Sequence, residues 1–268
     1  MSGECGAQVF FPGLSQRFSG LFEEGGAVWT GLDRLKSFIR QNITPNLPDA
    51  IRPGVPVETA VVLLPGGWAT EGFELVCNDD TKGRMQVWLE GEHVPDATLI
   101  CPGAVFADKR VELGRGVLIE PDAFIKGPAM IGDNTEVRQG AYVRGDVLVG
   151  AGCVVGHATE VKHAVFLDGA KAGHFAYIGD SILGNDVNLG AGTKFANLKF
   201  APGTVAISMP DGSRVDTGRR KMGAILGDGC QTGCNSVTNP GVLLGPGSLV
   251  APNATVAPGL YGPRTIIR

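Results

Sequence analysis

From Leu113 onward an aliphatic residue recurs at every sixth position: Leu113, Ile119, Ile125, Ile131, Val137, Val143, Val149, Val155, Val161 and Leu167. Four residues after each stands a mostly small side chain, among them Val117, Ala123, Ala129, Thr135, Ala141, Val147 and Cys153, with Lys171 the one large charged exception. Six is not a helical period. It suits a short strand of about four residues followed by a corner, where a small side chain turns inward and glycine permits the bend. Three such hexads make one triangular coil of about 18 residues, and coils stack strand over strand about 4.8 Å apart. The pattern predicts a mainly β chain wound as a parallel β-helix of the hexapeptide type.

The rhythm starts loosely at Val94, Ile100 and Phe106 and stumbles after Leu167. It resumes at Tyr177, Leu183, Leu189 and Phe195, breaks for an excursion at about 201–224, and returns from Leu226 to Val256. Residues 94–268 are therefore expected to form the prism. Residues 1–93 read as a small α+β region: "GAVWTGLDRLKSFI" puts Val28, Leu32, Leu35 and Ile39 on one helical face, and "VETAVVLLP" and "GRMQVWLEG" read as strands. "LLPGGWATEG" is faintly similar to the glycine-rich loop of sugar nucleotidylyltransferases. It lacks the basic residues that hold phosphates, and residues 1–93 leave no room for that domain.

Composition narrows the partners. The chain has 268 residues, 43% hydrophobic and 19% charged, with a net charge of −4. Mild acidity argues against nucleic acid as a partner. No apolar run approaches the ~20 residues of a membrane span, and no signal-peptide pattern opens the chain; the expected location is the cytoplasm. The 41 glycines are about twice the usual ~7%, and their regular spacing assigns them to corners. The six cysteines are spread thinly, with one CxxxC at 230–234 and no second pair for zinc, so they read as reduced thiols.

Lys126, Arg144 and Lys162 each take the second position of a hexad, 18 residues apart, which stacks them on one outer edge. Cations about 5 Å apart repel by roughly 1 kcal/mol in water. Acidic neighbours such as Glu160, or an anionic ligand of phosphate type, would offset this. His174 takes a second position on the preceding face, with Tyr177 three residues on. It is either a hydrogen-bonded corner residue or a general base at neutral pH.

"VRGDVLVGAGCVVGHATEVKHAVFLDGAKAGHFAYIGDSILGNDVNLGAGTKFANLKF" resembles the acetyltransferase half of the bifunctional glucosamine-1-phosphate acetyltransferase/N-acetylglucosamine-1-phosphate uridylyltransferases. "GRRKMGAILGDG" is more similar to the archaeal-type sugar-1-phosphate nucleotidylyltransferase/acetyltransferases. The resemblance implies a left-handed prism that trimerises, with active sites in the clefts between chains. It implies His174 as catalytic base, and Arg144 and Lys162 as ligands of the sugar phosphate. Tyr177, Asn188 and Asn197 would form hydrogen bonds on the substrate side. Ala191 would meet the arm of acetyl-CoA, with Cys234 and Pro252 further along the coenzyme groove. Cys234 and Pro252 replace the family's serine and alanine, and the family's phosphate-binding lysine falls near Gly203, where there is none. Either Lys199 substitutes, or the acceptor differs from glucosamine 1-phosphate.

The expected function is therefore acetyl-CoA-dependent N-acetylation of an amino-sugar phosphate or nucleotide-linked amino sugar by a homotrimer, with no metal. "GRRK" at 218–221 reads equally as a site for coenzyme phosphates or as a solvated charge run. The alternatives are a non-catalytic trimeric scaffold, a zinc enzyme like the γ-carbonic anhydrases using His157, His163 and His174, and a lipid A-type acyltransferase.

Overall fold

A computed structural model describes residues 4–79 and 84–268. The chain forms a left-handed parallel β-helix of about 9 turns. Its first face stacks strands such as Glu136–Val137, Val154–His157, Lys171–His174, Asn188–Leu189 and Gln231–Thr232. Its second face runs through Phe124–Ile125, Tyr142–Val143 and the start of Glu160–Phe166, and its third through Ala129–Ile131 and Val147–Val149. Ile119, Ile125, Ile131, Val137, Val143, Val149, Val155 and Val161 all point inward, at most 2% exposed. Thr232 and Thr238 continue the column as buried polar members.

The tenth aliphatic match departs from the expected frame. Phe124 lies opposite Tyr142, an offset of 18, but Val149 lies opposite Phe166 and Val155 opposite Ala172, offsets of 17. Phe166 is the inward residue and Leu167 faces outward into a second core. In the earlier coil the corner takes two residues with positive φ, Gly145 (87°) and Asp146 (51°). His163 alone, at 46°, turns the next one, and Asp180, at 49°, the one after. One corner residue fewer shortens the coil, so Glu160–Phe166 and Tyr177–Leu183 run around the corner as unbroken strands. Ile178, not Tyr177, then fills the interior.

The third face is apolar on both sides. Its outward residues Leu148, Val165, Ile182, Ile225 and Leu243 are at most 1% exposed. They pack against Phe10, Phe11, Phe18 and Leu21 and against the helix Thr30–Asn42, whose Leu32, Leu35 and Ile39 are fully buried, as is Val28. The helix thus lies along the prism wall, because that wall offers the apolar stripe its amphipathic face needs. The excursion carries an antiparallel ribbon, Ala206–Ser208 with Arg214–Asp216, and its Val205, Ile207 and Met222 join the same second core.

Val61–Leu64 and Gly67–Ala69 form a tight hairpin paired antiparallel to Thr98–Ile100, with Gly66 at φ 94° in the turn. "LLPGGWA" is therefore a sheet extension rather than a phosphate loop. No helix among the described residues is long and apolar enough to cross a membrane. All six cysteines are free; Cys5, Cys101, Cys153 and Cys230 are buried, and burial pushes the Cys153 thiol up to about 12.

Candidate functional site

The edge between the first and second faces carries one column of residues that includes His157, His174, Ala191, Cys234 and Pro252. Phe175 N–H donates to the His157 carbonyl (2.6 Å), Gly192 N–H to His174 (3.1 Å), Asn235 N–H to Ala191 (2.8 Å) and Asn253 N–H to Cys234 (2.9 Å). The expected base and the three expected coenzyme-side positions therefore stack in order along one edge. His174 lies two residues past the inward Ala172, at the edge itself, rather than at a second hexad position. The shortened coil accounts for the difference.

Gly156, Gly173, Gly190 and Gly233 flank this column, each directly before its edge residue. Close stacking demands glycine here: a Cβ at Gly156 would fall 1.9 Å from the Gly173 carbonyl oxygen. The His174 side chain is exposed, and its ring stacks on His157 at 5.8 Å between centroids. Phe175 follows at φ 34°, 55% exposed. Holding a bulky residue in that region costs on the order of 1–3 kcal/mol. Its ring lies over Gly192, where a Cβ would come within 2.9 Å of it.

Across the second face stands the cation ladder. Lys126 N–H donates to the Val143 carbonyl and Arg144 N–H to Val161, both 2.8 Å, so Lys126, Arg144 and Lys162 occupy successive rungs. Each has a protein partner. Lys126 Nζ donates to Tyr142 Oη (2.9 Å), Arg144 Nη1 to Glu160 (2.6 Å), and Lys162 Nζ lies 4.0 Å from Asp180. Glu160 serves the rung below it, Arg144, rather than Lys162. Arg144 and Glu160 are both more than a third exposed, and such pairs contribute at most about 1 kcal/mol. The hydrogen bond that Arg144 donates to Glu160 raises its guanidinium above the usual value.

Above Lys162 the next rung is Gly179, opposite it in the sheet. A Cβ there would come within 2.7 Å of both Tyr177 Oη and Asn197 Nδ2. These two groups meet over the glycine, with Tyr177 Oη donating to Asn197 Oδ1 at 3.4 Å. Burial, and then the charges of Glu160 and Asp180, raise the Tyr177 phenol above its ordinary value.

Asp180 organises this corner and is not among the residues that sequence reasoning singled out. It is 5% exposed, accepts a hydrogen bond from Asn197 Nδ2 at 2.6 Å, and lies 3.6 Å from Arg219 Nη2. Arg219 comes from "GRRK"; its side chain turns inward, 14% exposed, and also pairs with Asp33 of the helix. Arg220 and Lys221 are exposed. Lys199 donates to the Thr204 carbonyl at the root of the excursion, and Gly203 is exposed.

The chain thus gathers Arg144, Lys162, Tyr177 and Asn197 at one edge and His174, Ala191, Cys234 and Pro252 at the other. Asn188 is exposed on the first face, between Lys171 and Gln231. His163 sits apart from the other two candidate zinc ligands: its Nε2 meets the Leu32 carbonyl at 2.9 Å. Among the described residues no group of three or more His, Cys, Asp or Glu side chains is arranged to hold a metal ion.

Comparison with known proteins bears on the same segment. The GMPPB C-terminal domain family matches residues 125–233. A bifunctional sugar-1-phosphate nucleotidylyltransferase/acetyltransferase of Sulfurisphaera tokodaii is 44% identical over 82 residues, 31% of this chain and 20% of that protein. A bifunctional protein GlmU of Methanococcus vannielii is 38% identical over 82 residues, 31% of this chain and 19% of that protein. A bifunctional protein GlmU of a Synechococcus species is 32% identical over 176 residues, 65% of this chain and 33% of that protein. The chain spans between about a fifth and a third of the length of these relatives. On these similarities, the prism resembles the acetyltransferase domain of the bifunctional sugar-1-phosphate nucleotidylyltransferase/acetyltransferases.

Proposed function

We propose that this chain is an N-acetyltransferase that moves the acetyl group of acetyl-CoA to an amino sugar bearing a phosphate or linked to a nucleotide. The observation that carries the reading is the ordered edge column, in which an exposed imidazole at His174 heads a stack formed by Ala191, Cys234 and Pro252. The resemblance to acetyltransferase domains supports it.

Acetyl-CoA supplies an activated acyl carbon. His174 accepts the proton from the acceptor amine as its nitrogen attacks that carbon. The tetrahedral adduct collapses, the thiolate leaves, and the proton returns from the imidazolium to sulfur. Arg144 and Lys162 hold the phosphate, and Tyr177 and Asn197 orient the sugar, so that attack is effectively intramolecular.

In one chain the second face separates His174 from Arg144 and Lys162. We therefore propose a homotrimer, in which the His174 edge of one chain meets the cation edge of the next. The internal partner of every ladder cation favours a second reading, a scaffold whose charges are structural.

Incubation of the protein with acetyl-CoA and a panel of amino-sugar phosphates, following thiol release, separates the two. Acceptor-dependent release is expected for the enzyme. A scaffold gives none with any acceptor.

A further inference from the structure

A separate concave feature lies away from both edges. The hairpin Val61–Ala69 extends the first-face sheet and, with the first rungs of the prism, lines an open cavity of about 410 Å³. That volume is within the ~300–1,000 Å³ typical of small-molecule sites. One wall is apolar, built from Pro65 and from Leu63 and Trp68, which are paired across the hairpin. Trp68 is 47% exposed, whereas Trp29 is 7% exposed. The other wall is an ion triad: Arg115 Nη1 lies 3.4 Å from Asp96 Oδ2, and Arg115 Nη2 lies 3.2 Å from Asp133 Oδ2. The Arg115 backbone N–H also donates to Asp133 Oδ1 at 2.9 Å, which fixes that carboxylate.

We propose that this cavity is a carbohydrate site that takes a neutral hexopyranose. A pyranose ring has an apolar C–H face and a rim of hydroxyls, and the two walls answer to those two halves. The indole offers a large flat apolar surface of low conformational cost. Each carboxylate has about four acceptor positions and the guanidinium five donors, so capacity remains after their mutual bonds. A hydroxyl both donates and accepts, and so engages a carboxylate and the guanidinium together. Two carboxylates against one guanidinium leave the rim negative, which selects against phosphorylated sugars. The site is therefore chemically opposite to the Arg144 and Lys162 edge, and it stands whether or not that edge transfers acetyl groups.

The test follows tryptophan fluorescence during titration with methyl α-D-glucopyranoside and, separately, glucose 1-phosphate. Saturable change with the neutral glycoside at a Kd in the millimolar range is expected, that is about −4 kcal/mol or weaker. Trp68→Ala abolishes the change, and by saturation-transfer NMR it weakens glycoside binding at least tenfold. Asp96→Asn, which leaves the hairpin untouched, weakens it several-fold and keeps the proposal testable should Trp68→Ala misfold. Three results would each overturn it. One is no saturable response to the glycoside up to about 50 mM, well above the millimolar Kd expected. The second is NMR binding that is unchanged in Trp68→Ala. The third is a Trp68 response to glucose 1-phosphate at concentrations as low as those for the glycoside.

Discussion

The imidazole of His174 rests on that of His157, with ring centroids 5.8 Å apart and planes inclined by 25°. The two residues occupy adjacent rungs of one edge, so the lower ring fixes the face that the upper one presents. Such ring pairs contribute about 0.5–1.5 kcal/mol. His157→Ala is therefore expected to lower kcat by about tenfold at most, with KM little changed, and His157→Phe is expected to restore it. A loss of kcat that Phe does not rescue would mean that His157 acts through its nitrogens instead.

The ladder cations predict a different signature. Arg144→Ala or Lys162→Ala removes a charge-assisted hydrogen bond worth roughly 1.5–3 kcal/mol. The acceptor KM is expected to rise about tenfold or more, with the KM for acetyl-CoA unchanged. Steady-state kinetics with each substrate varied in turn decides this. Equal effects on both substrates would assign the ladder to structure alone.

Asp180 ties the prism corner to the excursion through Arg219, and through Asp33 to the helix. Removing one partner of a buried ion pair typically costs about 3–5 kcal/mol. Asp180→Ala should lie towards that range in urea unfolding and should open the excursion to trypsin at Arg219. Unchanged stability together with an uncut excursion would show that the corner is held by packing.

Much of this architecture is legible in the hexad pattern, and its failures have a physical cause. A period of six marks inward residues only while each corner takes the same number of residues. His163 and Asp180 each turn a corner alone, so Leu167 and Tyr177 keep the count but lose the interior to Phe166 and Ile178. The helix was readable from Val28, Leu32, Leu35 and Ile39. Its berth was also present in the sequence, in the unbroken triplets Val147-Leu148-Val149 and Val242-Leu243-Leu244, which mark strands buried on both sides. Asp180 stands inside a recognisable motif, but its burial depends on Arg219 folding back from the excursion, which no local pattern encodes.

His163 predicts a pH dependence of stability. Burial, and then the Arg219 charge, lower its pKa below the ordinary histidine value, opposed by Asp180 and Asp146. The unfolded chain therefore takes up the proton first. This contribution is fully present above about pH 6.5 and is lost as pH falls through the folded-state value. Unfolding free energies between pH 7.5 and about 5 should decline, and His163→Gln should flatten the slope. An equal slope in the variant would place the titration elsewhere.

In the proposed reaction His174 takes the proton from the attacking amine. The most direct measurement is single-turnover acetyl transfer to an amino-sugar phosphate by wild type and His174→Ala, with sedimentation and substrate affinity recorded for both. An intact trimer, substrate affinities nearly unchanged and a rate lower by about 10²–10⁴ are expected. A correctly assembled His174→Ala protein that transfers acetyl at the wild-type rate would contradict that role.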